Sequence, residues 1–333
     1  MENICVIGFG SWGIALACLL EKNGHNVTMW EPNKDLADML DKERENKRSL
    51  PGVLIPQSIT ITSDINLATA SDLLLIALSS KDIPAVFSTM VPLLKKGQVL
   101  INASKGLIQN DGHQLRITEY LKETAPMCDV ACLSGPSHAE EVSRNMPTMV
   151  TIASTSLDIC RRLQLAFSDE NFRVYTSTDL IGVELGGVLK NVIALAAGIS
   201  NGLGFGDNTK AGLITRGIAE IARLGVAMGA NIQTFAGLSG IGDLIVTCTS
   251  QHSRNWRAGN LLAQEKPVEQ VLAEVNMAVE GINTAAPVLA LANKYGVEMP
   301  IVEEVNQILY QGKKPKDAVI SLMNRDAGSE SKF

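Results

Sequence analysis

Aromatic residues are scarce in this chain, and the signatures of several common protein classes are missing. Phe, Trp and Tyr make up 4% of the 333 residues, so the apolar 46% has to build its cores mainly from Ala, Leu, Ile and Val. No basic tract interleaved with aromatic residues occurs, which argues against a nucleic-acid partner. The formal net charge is −6, so an anionic ligand would need a local cluster of Lys and Arg to overcome the repulsion of the whole chain.

Metal-binding and membrane-spanning patterns are also missing. The six cysteines include no CxxC pair and the four histidines show no HxxxH spacing, so we expect no metal site. Most of the cysteines lie in apolar runs, which favours a reducing compartment. The first predicted strand begins near Asn3, leaving no room for a signal peptide, and charges interrupt the apolar stretches before the ~18 residues that a membrane span requires. We therefore expect a soluble, cytoplasmic chain without an integral membrane segment.

Short apolar runs alternate with helical patterns in the first half of the chain. Strands are predicted at residues 3–7, 27–30, 73–77, 99–102, 130–133, 149–153 and 172–175. Helical patterns fill most of the gaps, at residues 14–20, 36–45, 83–94 and 157–167. This alternation predicts a Rossmann-like, doubly wound, mainly parallel sheet. Beyond Thr178 only helices and glycine loops are predicted, so we expect a dinucleotide-binding domain over residues 1–178 and an all-helical substrate and catalytic domain over residues 179–333.

The first predicted strand runs directly into the glycine-rich sequence GFGSWG. Gly8 permits a tight turn at the strand end, Gly10 lets the backbone approach a pyrophosphate, and Gly13 lets the following helix pack close to the sheet. The backbone N–H groups near Ser11 and Trp12, at the start of that helix, form an anion site together with the helix dipole. The context of strand, turn and Ala-rich helix predicts that a dinucleotide binds here.

The second predicted strand ends at Glu31, about twenty residues beyond the glycines. A carboxylate in this position can accept hydrogen bonds from the adenosine ribose and repels the 2′-phosphate of NADP. The alternative is a solvated acid at the end of a strand, and the following Pro32 leaves the local geometry open. The pattern favours NAD over NADP as the cofactor.

Lys190 and Asn191 stand in a long run of apolar and small residues. An ammonium group on such a helix has to reach solvent or face a functional site. Gly186 and Ala194 lie four residues either side of Lys190, so one helix face combines a lysine with small residues that could admit a flat ring or a small substrate. A lysine extending to solvent at a domain surface is the competing interpretation.

Polar residues follow two further predicted strands. Lys105 follows the strand that ends at residue 102, and Gly135 and Ser137 follow the next one. Because ligands of open α/β sheets bind at the carboxyl ends of the strands, these residues are site candidates.

A second polar group occurs in the helical half of the chain, where Ser253, Arg254 and Asn255 combine a planar cation with two neutral hydrogen-bonding side chains. That chemistry suits a phosphate, and a flexible loop with a surface arginine is the competing interpretation. A glycine-rich stretch leads into Asp243 just upstream.

Taken together, these segments resemble the bacterial-type NAD(P)-dependent glycerol-3-phosphate dehydrogenases, and the resemblance covers nearly the whole chain in the family's order. The matching stretches are GFGSWGIALA from Gly8, LPGV from Leu50, SKGL from Ser104, LSGPSHAEEV from Leu133, VELGGVLKNVIALAAGISNGLGFGDNTKAGLITRG from Val183, TFAGLSGIGDLIVTCTS from Thr234, SRN from Ser253, VEG from Val279 and EMPI from Glu298.

The resemblance implies interconversion of dihydroxyacetone phosphate and sn-glycerol 3-phosphate by hydride transfer, supplying glycerol phosphate for lipid synthesis, and a homodimer. It implies Lys190 as the general acid/base, with Lys105 and Asp243 at the reacting centre. The implied substrate contacts are completed by Gly135, Ser137, Asn191, Ser253, Arg254 and Asn255. The implied cofactor contacts outside the glycines are Ser11, Trp12, Lys105, Ala139, Arg254 and Glu280.

One departure from the family concerns the cofactor. The family usually carries a basic residue just after the Trp of the second strand, whereas Trp30 is followed here by Glu31, Pro32 and Asn33. This again favours NAD, with NADP as the alternative. Two other readings stay open: a related β-hydroxyacid dehydrogenase with a carboxylate-binding site, and a non-catalytic NAD-binding regulator.

Overall fold

A computed structural model describes residues 1–110, 112–326 and 329 of the chain. The chain divides into two compact units, Met1–Ile108 with Leu115–Leu180, and Gln109–Gln114 with Ile181–Phe333. The predicted boundary at residues 178 and 179 lies beside this division, and the assignment of separate functions to the two halves stays a prediction.

Ten strands and fifteen α-helices are formed by the described residues. The strands are β1 Asn3–Ile7, β2 Asn26–Trp30, β3 Thr60–Thr62, β4 Leu73–Ile76, β5 Val99–Asn102, β6 Leu107–Asn110, β7 His113–Arg116, β8 Asp129–Ser134, β9 Thr148–Ser154 and β10 Phe172–Ser177. The helices up to residue 180 are α1 Ser11–Lys22, α2 Lys34–Glu43, α3 Ile65–Thr69, α4 Ile83–Met90, α5 Ile117–Thr124, α6 Ala139–Val142 and α7 Leu157–Phe167. Beyond them follow α8 Leu180–Gly202, α9 Asp207–Ala227, α10 Asp243–Thr249, α11 Arg254–Leu262, α12 Val268–Val275, α13 Glu280–Tyr295, α14 Pro300–Tyr310 and α15 Pro315–Met323. Short 3₁₀ turns occupy Val91–Leu93 and Ile232–Ala236, and a π turn occupies Leu238–Gly242.

Eight of these strands form one sheet in the order β10-β9-β8-β5-β4-β1-β2-β3, while β6 and β7 pair as a separate hairpin. The strands from β8 to β3 run parallel, as predicted, and the fold is the expected doubly wound α/β sheet followed by a helical region. However, β9 is antiparallel to β8, and β10 is parallel to β9. A parallel strand needs a crossover that returns the chain along the sheet, and the single turn of α6 after β8 is too short to provide one.

Both faces of the central strands are buried, which explains their uninterrupted apolar sequences. Ile4 and Val6 of β1 belong to the apolar cluster on one face, and Cys5 and Ile7 belong to the cluster on the other. The same alternation continues through β4 and β5. This period of two residues is the geometric consequence of side chains pointing to opposite faces of a strand.

The second unit is built of helices around α8, whose 23 residues are long and apolar enough to cross a membrane by length and composition. However, 83% of its most apolar 18-residue window is buried inside the structure, so α8 serves as a core helix. Helix α11 packs closely on it because glycines line the crossing. A Cβ on Gly198 would lie 2.1 Å from the carbonyl oxygen of Trp256, and one on Gly259 would lie 2.2 Å from that of Leu195.

Helix α14 is held at its start by a buried carboxylate from α9. The side chain of Glu220 accepts hydrogen bonds from the backbone N–H groups of Ile301, at 2.8 Å, and Val302, at 3.4 Å. Burial raises the pKa of Glu220 to about 7, although these N–H groups and the nearby Arg223 and Arg325 oppose the rise. The carboxylate thus satisfies helix N–H groups at the expense of its own hydration.

We predict that Glu220 makes the stability of the protein depend on pH. Because its pKa is higher in the folded than in the unfolded chain, the stabilisation is complete below about pH 4.5 and is lost as the pH rises through about 7. Between pH 4.5 and 8, the free energy of unfolding of wild type should therefore fall by about 3 kcal/mol more than that of Glu220→Gln. Urea unfolding across this range measures the difference, with Glu303→Gln on the exposed face of α14 as the control. Parallel pH profiles for wild type and Glu220→Gln would contradict the prediction.

Candidate active site

The turn after β1 is tightly packed at two of its three glycines. Gly8 has a φ of +117°, and a Cβ there would lie 2.6 Å from the carbonyl oxygen of Ala77 beyond β4. A Cβ on Gly13 would lie 2.3 Å from the carbonyl oxygen of Gly8. Gly8 is required by its positive φ and by the backbone that follows β4, and Gly13 is required because α1 closes directly on the end of β1.

Gly10 is different because no packing reason for a glycine exists there. Its φ is −70°, which any residue adopts, and a Cβ would meet nothing within 4 Å. Gly10 precedes the first turn of α1, which has neither a side-chain cap nor an acidic residue. The indole Nε1 of Trp12 in that turn is buried and makes no hydrogen bond within the described residues. Open space over uncapped backbone N–H groups fits a phosphate-bearing group.

Glu31 directly follows β2, which is adjacent to β1 in the sheet. Its Oε1 accepts a hydrogen bond from the backbone N–H of Asn33 at 3.1 Å, and Asn33 in turn caps α2. Burial raises the pKa of Glu31, and the Asn33 N–H partly offsets that rise. The other carboxylate oxygen has no partner in the described part of the chain, so it can accept from a bound hydroxyl group.

Three predicted residues meet where β5 and β8 end. The Nζ of Lys105 donates to the carbonyl oxygen of Gly135 at 3.2 Å, and the hydroxyl of Ser137 donates to the same oxygen at 2.9 Å. Gly135 has a φ of +141°, and a Cβ there would lie 3.0 Å from the Cα of Val150. Ala139 is buried at the start of α6. The carboxyl ends of these neighbouring strands therefore place an ammonium group and a hydroxyl on one backbone oxygen.

Lys190 is almost completely buried in the second unit, at 6% exposure. Its ammonium group donates to the carboxylate of Asp243 and, at 2.7 Å, to the hydroxyl oxygen of Thr247. The Thr247 hydroxyl donates its own proton to the backbone carbonyl of Asp243 at 2.6 Å, so its lone pairs are left for the lysine. Lys190 is thus fixed by an ion pair rather than extended to solvent, which excludes the competing interpretation of this residue.

The segment that presents Asp243 packs directly on α8. A Cβ on Gly186 would lie 2.3 Å from the carbonyl oxygen of Ser239, in the π turn that precedes α10. The space beside Gly186 on α8 is therefore filled by the backbone at Ser239. The prediction that this face of α8 receives a flat ring or a substrate is wrong at this position. The close approach places Asp243, 1% exposed, on Lys190.

A buried amide network links α8, α11 and the start of α13. The Nδ2 of Asn255 donates to Oδ1 of Asn191 at 2.9 Å, and Oδ1 of Asn255 accepts from the backbone N–H of Gly281 at 2.8 Å. Because a backbone N–H can only donate, the orientation of the Asn255 amide is determined. Gly281 also has to be a glycine, since a Cβ would lie 2.5 Å from the carbonyl oxygen of Asn191.

The remaining predicted residues of this unit flank the amide network. Ser253 caps α11 by accepting from the backbone N–H of Trp256 at 3.2 Å, and Arg254 is the first residue of that helix. Glu280 is the first residue of α13, next to Gly281. The Ser253, Arg254 and Asn255 run therefore lies at a helix start, where backbone N–H groups favour an anion.

Several residues of the site were not predicted from the sequence. Thr247 gave no signal by itself, although its position four residues after Asp243 would place the two on one helix face once α10 is known. Gly281 and Asn46 were also missed, and Asn46 donates from its side chain to the carbonyl oxygen of Phe9 in the glycine turn at 2.9 Å. Among the described residues no cluster of three or more His, Cys, Asp or Glu is arranged to hold a metal ion.

A doubly wound sheet with an open glycine turn and a strand-end acid, followed by helices that bury a lysine on a carboxylate, defines a nicotinamide dinucleotide-dependent oxidoreductase. Comparison with known proteins identifies the family within this class. The N-terminal part of the NAD-dependent glycerol-3-phosphate dehydrogenase family matches residues 3–160, and the C-terminal part matches residues 179–320. The chain belongs to this family.

Individual members of the family match this chain over nearly its whole length. The chain is 51% identical over 329 residues to a glycerol-3-phosphate dehydrogenase [NAD(P)+] of Fusobacterium nucleatum, covering 98% of both chains. It is 50% identical to the protein of the same name from Bacillus subtilis, covering 98% of this chain and 95% of the relative. The crystal structure of glycerol-3-phosphate dehydrogenase from Coxiella burnetii has a TM-score of 0.93 at 35% identity, covering 97% of this chain and 99% of that one.

The glycine turn yields a stability test. Gly13→Ala places its Cβ against the carbonyl oxygen of Gly8 and should lower the free energy of unfolding by about 2 kcal/mol or more. Gly10→Ala enters open space at an ordinary φ and should change it by less than about 1 kcal/mol. Chemical denaturation of the two variants beside wild type checks the contrast, and equal destabilisation by both would contradict it.

Proposed function

We propose that this chain interconverts dihydroxyacetone phosphate and sn-glycerol 3-phosphate, with Lys190 as the general acid/base. The observation that carries the proposal is the buried Lys190 ammonium group, oriented by Asp243 and Thr247. When bound, the reduced nicotinamide supplies a hydride to C2 of the ketone. As that bond forms, the carbonyl π electrons pass to the C2 oxygen, which takes a proton from Lys190 Nζ. In the reverse direction Lys190 accepts the hydroxyl proton.

The substrate phosphate is proposed to bind Arg254, Ser253 and Asn255. Arg254 supplies a planar cation, and the free Asn255 N–H is a donor in an orientation that its neighbours determine. Asn191 contributes by holding that amide. In the first unit, Lys105, Gly135 and Ser137 are proposed as further substrate contacts. Fixing the phosphate fixes C2 relative to the reacting groups.

The dinucleotide is proposed to bind the glycine turn. Gly8, Gly10 and Gly13 shape the turn, the backbone at Ser11 and Trp12 receives the pyrophosphate, and Glu31 binds the adenosine ribose. Ala139 and Lys105 in the first unit, and Arg254 and Glu280 in the second, complete the proposed contacts. This assigns cofactor binding mainly to residues 1–178 and substrate chemistry mainly to residues 179–333. A homodimer in the cytoplasm that supplies glycerol phosphate for glycerophospholipid synthesis completes the proposal.

Removal of the lysine tests the catalytic role. Lys190→Ala should lower kcat for reduction of dihydroxyacetone phosphate by NADH at least about 100-fold, because the C2 oxygen loses its proton donor. Absorbance at 340 nm follows the reaction, and Lys210→Ala on α9 is the matched control. A wild-type chain without activity on this substrate would overturn the function. Full kcat in Lys190→Ala would overturn the role of the lysine while leaving the function intact.

Cofactor preference tests the role of Glu31. We expect a higher kcat/KM with NADH than with NADPH, because a carboxylate repels the 2′-phosphate. Glu31→Gln keeps an oxygen for the Asn33 N–H but removes the charge, so it should raise kcat/KM for NADPH about fivefold or more. The value for NADH should fall, because an amide nitrogen replaces the oxygen that accepts from the ribose. Asp38→Asn, on the exposed side of α2, controls for loss of a negative charge nearby. Equal values for the two cofactors in wild type would refute the preference.

A further inference from the structure

A short turn from Asn46 to Leu50 is fastened to the glycine turn. The Nδ2 of Asn46 donates to the carbonyl oxygen of Phe9 at 2.9 Å, while its Oδ1 accepts from the backbone N–H of Ser49 at 3.1 Å. The backbone N–H of Leu50 donates to the carbonyl of Asn46 at 2.9 Å, and the Leu50 side chain is buried in the core. The Asn46 side chain at one end and the buried Leu50 side chain at the other therefore fix the turn next to Phe9.

This turn carries two exposed cationic side chains. Lys47 and Arg48 are both exposed, and neither side chain makes a hydrogen bond or an ion pair in the described part of the chain. The nearest acid in sequence, Glu45, is already engaged, because its carboxylate accepts from the backbone N–H of Gly52 at 2.8 Å. Two positive charges are thus presented without a partner.

Both cations closely follow Asn46, the residue whose side chain contacts the glycine turn. The Cα atoms of Lys47 and Arg48 lie within about 8 Å of the Cα of Asn46, whose amide touches Phe9. Phe9 precedes Gly10, where a Cβ would meet nothing within 4 Å. In a chain with a net charge of −6, a cation pair here creates the local positive field that a dinucleotide would need.

We infer that Lys47 and Arg48 bind phosphate groups of the dinucleotide and set part of its affinity. The inference rests on the proposed function of the glycine turn. Both cations are suited to phosphate: Arg48 as a planar two-point donor and Lys47 as a mobile point charge. The pyrophosphate, common to both cofactors, and the 2′-phosphate, present only in NADP, offer the same chemistry.

The double variant Lys47→Ala, Arg48→Ala tests the inference in the full chain. Dissociation constants for NADH and NADPH are measured by fluorescence titration, at low and at high KCl concentration. The control is Lys95→Ala, Lys96→Ala, which removes the same charge from an exposed pair. This pair precedes β5 and so lies near the amino-terminal ends of the parallel strands, whereas the glycine turn lies at their carboxyl ends. We expect Lys47→Ala, Arg48→Ala to raise the dissociation constant about tenfold for NADPH, or for both cofactors, and to weaken the salt dependence of binding. In the control the dissociation constants should change less than about twofold.

The two cofactors separate the possible sources of phosphate. A rise for both NADH and NADPH assigns the cations to the pyrophosphate, and a rise for NADPH alone assigns them to the 2′-phosphate. Dissociation constants equal to wild type for both cofactors, or equal losses in the control, would overturn the inference. If the wild-type chain binds neither dinucleotide, the proposed function fails as well, and the absence of dihydroxyacetone phosphate reduction would show this independently.

Discussion

The ion pair between Lys190 and Asp243 is the constraint around which the second unit is organised. Neither charged group can be withdrawn from water without a close partner and further hydrogen bonds, because the cost of desolvation otherwise exceeds the attraction. Thr247 supplies one of those bonds to Lys190. Asp243 stands at the first position of α10, directly after the π turn Leu238–Gly242. Removing one partner alone would leave a buried charge uncompensated.

Gly186 on α8 follows from that constraint, and Gly198 serves a second close contact on the same helix. For Asp243 to reach a lysine on α8, the backbone that carries it has to lie against α8, and Gly186 provides the space beneath Ser239. The π turn at this point delivers Asp243 to the start of α10. On the same helix, Gly198 faces the backbone of Trp256 and brings α11, with Asn255, to the level of Asn191. Gly186 and Gly198 of α8 thus allow close contact between backbones.

The parts of this molecule that could be predicted from the sequence are those set by local chemistry. The turn at Gly8 to Gly13 is encoded in the spacing of its glycines, and the buried strands are encoded in their apolar runs. The direction of β9 could not be predicted, since it depends on how far the segment after β8 travels before pairing. The prediction for Gly186 was wrong because spacing shows that a helix face is small but not what fills it. Thr247 and Gly281 enter the site through Lys190 and Asn255, which are distant from them in sequence, so no local pattern marks their roles.

The amide network shows how neutral groups can complement a cation in binding an anion. Gly281 has only a proton to offer Asn255, so the Asn255 oxygen has to face it and the nitrogen has to face Asn191. The second N–H of that nitrogen is then a donor whose direction is set before any ligand arrives. A donor that is already oriented avoids the entropy cost of ordering a mobile side chain on binding. Neutral donors of this kind bind an anion without adding to the desolvation cost of buried charges, and they complement the charge that Arg254 supplies at the start of α11.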